Sequence, residues 1–140
     1  MNIPAFDQPT SEKIVQEWLT ALSELIANVS KWVKDQPGWS VEPSTKEITE
    51  EALGSYIAPV LTINATEGRL ILEPMARIVI GGTGTVELYA WPALYRVRLL
   101  HRVREGIDTW VVLTDSRVIL KEPWNEETFL YLVQSLLGEQ

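Results

Sequence analysis

The sequence predicts an α+β fold: a long N-terminal helix, an antiparallel meander of five to six strands, and a C-terminal helix packed on one sheet face. Two observations carry this reading. Apolar residues recur at steps of three and four from Ile14 to Val33, switch to a period of two from Tyr56 onward, and return to the helical period after Asn125. Short turns bearing Gly, Asn or Asp separate the period-two runs. The connections are short, there is no internal repeat, and residues 1–140 read as a single domain.

The first helix places Ile14, Val15, Trp18, Leu19, Leu22, Leu25, Ile26, Val29, Trp32 and Val33 on one stripe. Lys13, Glu17, Thr20, Glu24, Asn28 and Lys31 fall on the opposite face. Thr10 is positioned to cap the first turn, with Glu12 near the positive end of the helix dipole. Asp35-Gln36-Pro37-Gly38 stops the helix. At 1.5 Å per residue, about 25 residues span ~37 Å. A compact domain of this size has a radius of gyration of roughly 14 Å, hence a diameter near ~37 Å. The helix must therefore cross the domain or extend past its edge to meet a partner.

Residues 39–55 fit two descriptions. Trp39 to Glu42 suits a short strand, and Ser44 to Leu53 suits either a short helix capped by Ser44 or Thr45, or a charged loop. Strands are expected over Tyr56 to Ile63, Arg69 to Ile80, Thr85 to Trp91, Tyr95 to Arg104, Thr109 to Thr114 and Val118 to Leu120. Pro74 cannot donate to a ladder, so it marks an edge or a bulge. In the last helix Asn125 caps, Glu126 and Glu127 occupy the first turn, and Phe129, Leu130, Leu132, Val133, Leu136 and Leu137 form the apolar face.

Composition excludes whole classes of function. The chain has no cysteine, so disulfides, thiol catalysis and Cys-ligated metals are ruled out. One histidine leaves few catalytic or metal constellations. No Ca²⁺-loop or H-E-x-x-H pattern occurs, so no metal or cofactor is expected. The net charge of −7 opposes nucleic acid and anionic lipid. The N-terminus has no secretory pattern, and the longest uncharged run, Ala52 to Thr66, is too short and too broken to span a bilayer. The expected setting is a soluble, cytoplasmic protein.

Charge is unevenly placed. Residues 1–55 hold nine acids and four bases, residues 105–140 seven acids and two bases, and residues 56–104 three acids and six bases, all arginine. Arginine's planar fork suits paired or stacked sites. Alternation puts Arg96, Arg98, Leu100, Arg102 and Arg104 on one face of their strand, opposite Tyr95, Val97, Leu99, His101 and Val103. Glu87, Tyr89 and Trp91 share a face of the preceding strand, and Glu73 shares one with Met75 and Arg77. One sheet face is thus expected to collect Glu73, Arg77, Glu87, Tyr89, Trp91, Arg96 and Arg98. The structural explanation is a surface laced by cross-strand ion pairs and arginine–aromatic packing. The functional one is a recognition surface, since Arg, Tyr and Trp are enriched at binding hot spots. A phosphate or carboxylate held by Arg96 and Arg98 is a narrower version of it.

Other features read as structural. His101, on the apolar side of its strand, suits a buried histidine satisfied by a backbone or carboxylate partner, and no nucleophile motif accompanies it. Gly81-Gly82-Thr83-Gly84 follows a strand but no helix comes next, so it reads as a glycine-rich hairpin rather than a phosphate loop. Ser116 belongs to an ordinary turn. Of six tryptophans, Trp18, Trp32, Trp110 and Trp124 suit the core, whereas Trp39 and Trp91, at element ends, suit a cleft or interface.

In size, acidity and lack of a catalytic set, the chain resembles bacterial secretion chaperones, which are dimers that bind extended effector segments. The resemblance implies a segment-binding role. Those chaperones usually place a helix between strand groups, where this chain shows an unbroken meander. The residues themselves point to a non-enzymatic binding or assembly module that self-associates as a homodimer, through the Arg/Trp/Tyr face or the long helix. A further alternative is an anionic-ligand-binding protein or enzyme with a pocket near His101, Trp91 and the arginines.

Overall fold

The computed structural model describes residues 10–92, 95–114, 118–120 and 124–138. The elements are α1 (Ser11–Lys34), β1 (Ser40–Glu50), β2 (Gly54–Ala65), β3 (Gly68–Ala76), β4 (Thr85–Trp91), β5 (Arg96–Arg104), β6 (Ile107–Thr114), β7 (Val118–Leu120) and α2 (Glu126–Gly138). The strands form one antiparallel sheet in chain order, β1 to β7. The six expected strands are present, preceded by one more, and no helix interrupts them. The expected turn at Asp115 to Arg117 lies outside the described residues.

The additional strand is the correction at residues 39–55. Neither the helix nor the charged loop forms. β1 pairs with β2 without a register shift, from Ser40 opposite Asn64 to Glu50 opposite Gly54. A three-residue loop joins them, with Gly54 at a φ of +78°. β1 lacks apolar alternation because it is an edge strand on which only Ile48 is fully buried. Pro43 and the charges of Glu42, Lys46 and Glu47 blunt that open edge against further strand pairing.

Both helices cover the same face of the sheet. The core gathers Val15, Trp18, Leu22, Leu25, Val29 and Val33 of α1, and Phe129, Leu132, Val133 and Leu136 of α2. These meet Leu61, Ile63, Leu70, Leu72, Val86, Leu88, Val97, Leu99 and Val112 from β2 to β6. Burying each such aliphatic side chain contributes about 1.5–3 kcal/mol. Thr10 caps α1 by accepting from the Lys13 amide at 3.2 Å, and Asn125 caps α2 by accepting from the Thr128 amide at 2.9 Å. α1 is buried from Val15 to Val33, so it crosses the domain. Its far end meets α2: the Trp32 ring lies 5.6 Å from Trp124 and 5.7 Å from Phe129. Trp39 also packs against this core.

Two irregularities shape the sheet. In β2 the core-facing positions change parity, from Tyr56 and Ala58 to Leu61 and Ile63, while the β1–β2 register runs on. The ribbon therefore turns at Pro59 and Val60, and β2 pairs with β3 only after them, from Leu61 to Ala65. β3 carries a bulge between Pro74 and Ala76 and ends there, short of the expected Ile80. At the β5–β6 turn, Glu105 and Gly106 both have positive φ, the signature of a type I′ hairpin.

The segment after β3 returns against β5: the Thr83 amide donates to the His101 carbonyl at 2.7 Å, and the His101 amide to the Gly84 carbonyl at 2.8 Å. Gly84 has a φ of +132°, and a Cβ there would lie 2.4 Å from the Trp18 ring. The glycine is required twice, by its backbone and by the indole seated on it. Gly84→Ala is accordingly expected to cost about 3 kcal/mol or more. Gly54→Ala, where no atom lies within 4 Å of the new carbon, should cost only the backbone strain, about 1–2 kcal/mol. Urea denaturation of both variants tests this, and equal losses would contradict the seating of Trp18.

Candidate functional site

The outer face of the sheet assembles most of the predicted cluster. Register places Glu73 opposite Glu87, Ile71 opposite Tyr89 and Arg69 opposite Trp91 across β3 and β4. Across β4 and β5 it places Tyr89 opposite Arg96 and Glu87 opposite Arg98. The face therefore holds Glu73, Glu87, Tyr89, Trp91, Arg96 and Arg98 together. Arg77 does not join them. Alternation fails at the Pro74–Ala76 bulge, and Arg77 instead lines a groove beside α1.

The outer cluster is wired across strands. Arg96 donates to Glu87 at 2.6 Å, and its guanidinium sits 4.2 Å from the centre of the Tyr89 ring. Tyr89 donates its hydroxyl to Glu73 at 2.7 Å. Lys46, on β1, donates to Glu73 at 2.8 Å and to the Pro74 carbonyl at 3.0 Å. The sequence reading missed Lys46 because its strand was not recognised. Arg98 is held only loosely, 3.8 Å from Glu87, beyond hydrogen-bonding distance. Its side chain is 57% exposed, and so is Trp91. Arg98's planar donors are thus free to receive a carboxylate from outside.

These contacts shift two titrations. Burial pushes the Tyr89 phenol up, to about 12, and the bond to Glu73 adds to this. Burial alone would raise the Glu73 carboxyl. The hydrogen bonds from Lys46 and Tyr89, with the charges of Lys46 and Arg96, outweigh burial and hold it below its ordinary range.

On the helix-covered side, His101 is buried, with its ring 4.8 Å from Trp110 and 5.9 Å from Trp18. Its Nε2 lies 3.0 Å from Asp108 Oδ1 and its Nδ1 2.8 Å from the Thr83 hydroxyl. The Thr83 hydroxyl also donates to the His101 carbonyl at 3.1 Å, so this residue is tied to His101 twice. Both nitrogens are engaged, so this hydroxyl–imidazole–carboxylate chain fastens residues 83 and 84 to β5. A groove of about 440 Å³ adjoins it, lined by α1 on one side and by Arg77, Thr83, His101, Val103 and Asp108 on the other. The expected pocket is thus found in part: His101 and Arg77 line it, while Trp91, Arg96 and Arg98 lie across the sheet.

Deeper along the same side, Tyr56 donates to Glu50, whose carboxylate also accepts the backbone amides of Arg77 at 3.0 Å and Ile78 at 2.9 Å. Burial and the Glu50 carboxylate raise the Tyr56 phenol well above its ordinary value. This carboxylate ties the β1–β2 turn to the segment after β3. Among the described residues no cluster of three or more His, Asp or Glu side chains is arranged to hold a metal ion. No described helix is long and apolar enough to cross a membrane.

Comparison with protein families, with curated proteins and with solved structures finds no match to this chain. The fold defines its class as a two-layer α+β protein, with both described helices on one face of the sheet.

The lowered Glu73 carboxyl has a pH consequence. Its contribution to stability is present above about pH 4.3, where an unfolded glutamate titrates, and is lost as pH falls through its lower folded value. Glu73→Gln should therefore flatten the decline of stability on acidification. Denaturant midpoints compared between neutral and about pH 3 test this, and an unchanged acid slope in the variant would contradict it.

Proposed function

We propose that this protein is a non-enzymatic binding module that works by self-association through the outer face of its sheet. The observation that supports this most directly is that Trp91 and the loosely held Arg98 are both exposed on a face that neither helix covers, with the Tyr89–Arg96 pair between them. Exposed aromatic and guanidinium side chains on one face are the composition of a binding hot spot.

Charge favours a second copy as the occupant. The middle of the face carries Arg96 and Arg98 against a single shared carboxylate, Glu87. The edge strand β1 carries exposed Glu42 and Glu47. In a two-fold dimer each basic centre is set against the acidic edge of its mate, which satisfies the self-complementarity that such an interface needs.

Size-exclusion chromatography with light scattering tests the proposal. A dimer is expected at micromolar concentration. Raising the salt from about 0.05 to about 0.5 M should weaken it, because screening shortens the Debye length to a few ångström. Arg98→Glu or Trp91→Ala should weaken it about tenfold or more. A monomer at high micromolar concentration would overturn the reading, as would a dimer indifferent to both substitutions.

A further inference from the structure

The groove between α1 and the β5–β6 ribbon holds a feature that self-association does not use. Arg77 is partly buried there, yet it has no ion-pair partner within 4.0 Å among the described residues. Its backbone amide is fixed by Glu50, so the residue is anchored while its guanidinium is left without a carboxylate. Lys13, on the first turns of α1, lines the same groove and is likewise unpaired. A partly desolvated guanidinium without a counter-ion is costly unless an anion comes to it.

The acids of the groove do not supply that anion. Asp108 is engaged by His101 Nε2, and Glu17 makes no ion pair with either cation. The groove runs along the N-terminal half of α1, from Lys13 to Thr20. Its lining also includes Gln16 and Thr20 of α1. Its volume of about 440 Å³ suits a small organic molecule rather than a bare inorganic ion.

We propose that this groove binds a small organic oxyanion, with Arg77 and Lys13 on the anionic group. A bidentate Arg–oxyanion contact accepts either a phosphate monoester or a carboxylate. The site lies on the opposite side of the sheet from Arg98, so it stands or falls independently of the dimer.

The only histidine in the chain makes the test specific, because His101 lines the groove and its ring signals are unambiguous in NMR. At fixed pH, the protein is titrated with glycerol 3-phosphate, with glutarate, and with sodium chloride at matched ionic strength. A saturable shift of the His101 ring signals is expected with at least one of the two organic anions and not with chloride. A response to one alone identifies the head group. Arg77→Ala and Lys13→Gln should each weaken binding about tenfold. Arg98→Ala should leave it unchanged. Lys13 is exposed, so that variant remains informative if Arg77→Ala does not fold. The proposal is overturned if neither anion shifts His101, if chloride reproduces the shift, or if binding survives in the Lys13 variant at native strength.

Discussion

The seat of Trp18 in the concave side of the sheet is the contact on which the rest of the structure depends. This side chain is 1% exposed, packs with tilted rings against His101 and Trp110, and rests on the bare backbone of Gly84. It locks α1 to three parts of the sheet side at once: β5, β6 and the segment that follows β3. A side chain at position 84 would hold the helix away from the sheet, and the groove between them would lose its shape. The other end of α1 is fixed by the same means, through Trp32 against Trp124 and Phe129. Two aromatic clusters thus pin a 24-residue helix across a seven-stranded sheet. The reach that raised a partner at the sequence level is met within the chain.

The second organising fact is where the arginines find their counter-charges. The basic middle of the chain lies between two acidic flanks, and neutralisation by those flanks is the simplest arrangement. Among the described residues, no ion pair joins a sheet arginine to a flank acid. Arg96 and Arg98 share Glu87, which belongs to the basic segment itself. Lys46, from a flank, brings a further positive charge, to Glu73. Two arginines divide one carboxylate on the outer face, and Arg77 has none on the inner face. Both sides of the sheet are left with cations whose donors are incompletely used, which is why both carry a proposal. Surface pairs of this kind contribute about 1 kcal/mol or less to folding, so their placement matters more for recognition than for stability.

The polar groups of the interior act as fasteners. His101 joins Asp108 on one side to Thr83 on the other, and Glu50 collects a phenol and two backbone amides. Each closes a place where regular pairing stops: the segment after the β3 bulge and the β1–β2 turn. Buried polar groups are tolerated there because every partner is supplied from within the fold.

Sequence alone determined the helices, their caps, six strands and the alternation that brings Glu73, Glu87, Tyr89, Trp91, Arg96 and Arg98 to one face. These follow from local period and capping chemistry, which need no distant contact. Residues 39–55 were not legible, because an edge strand on which only Ile48 is fully buried has no apolar alternation to read. Lys46 was missed with it. Arg77 was assigned to the wrong face, because a one-residue bulge inverts every side chain beyond it and leaves no reliable mark except Pro74. Tertiary structure alone decided that Gly84 lies under Trp18, that His101 and Arg77 border one groove, and that the basic centre keeps unspent donors. Those are contacts between residues far apart in the chain, and only packing brings them together.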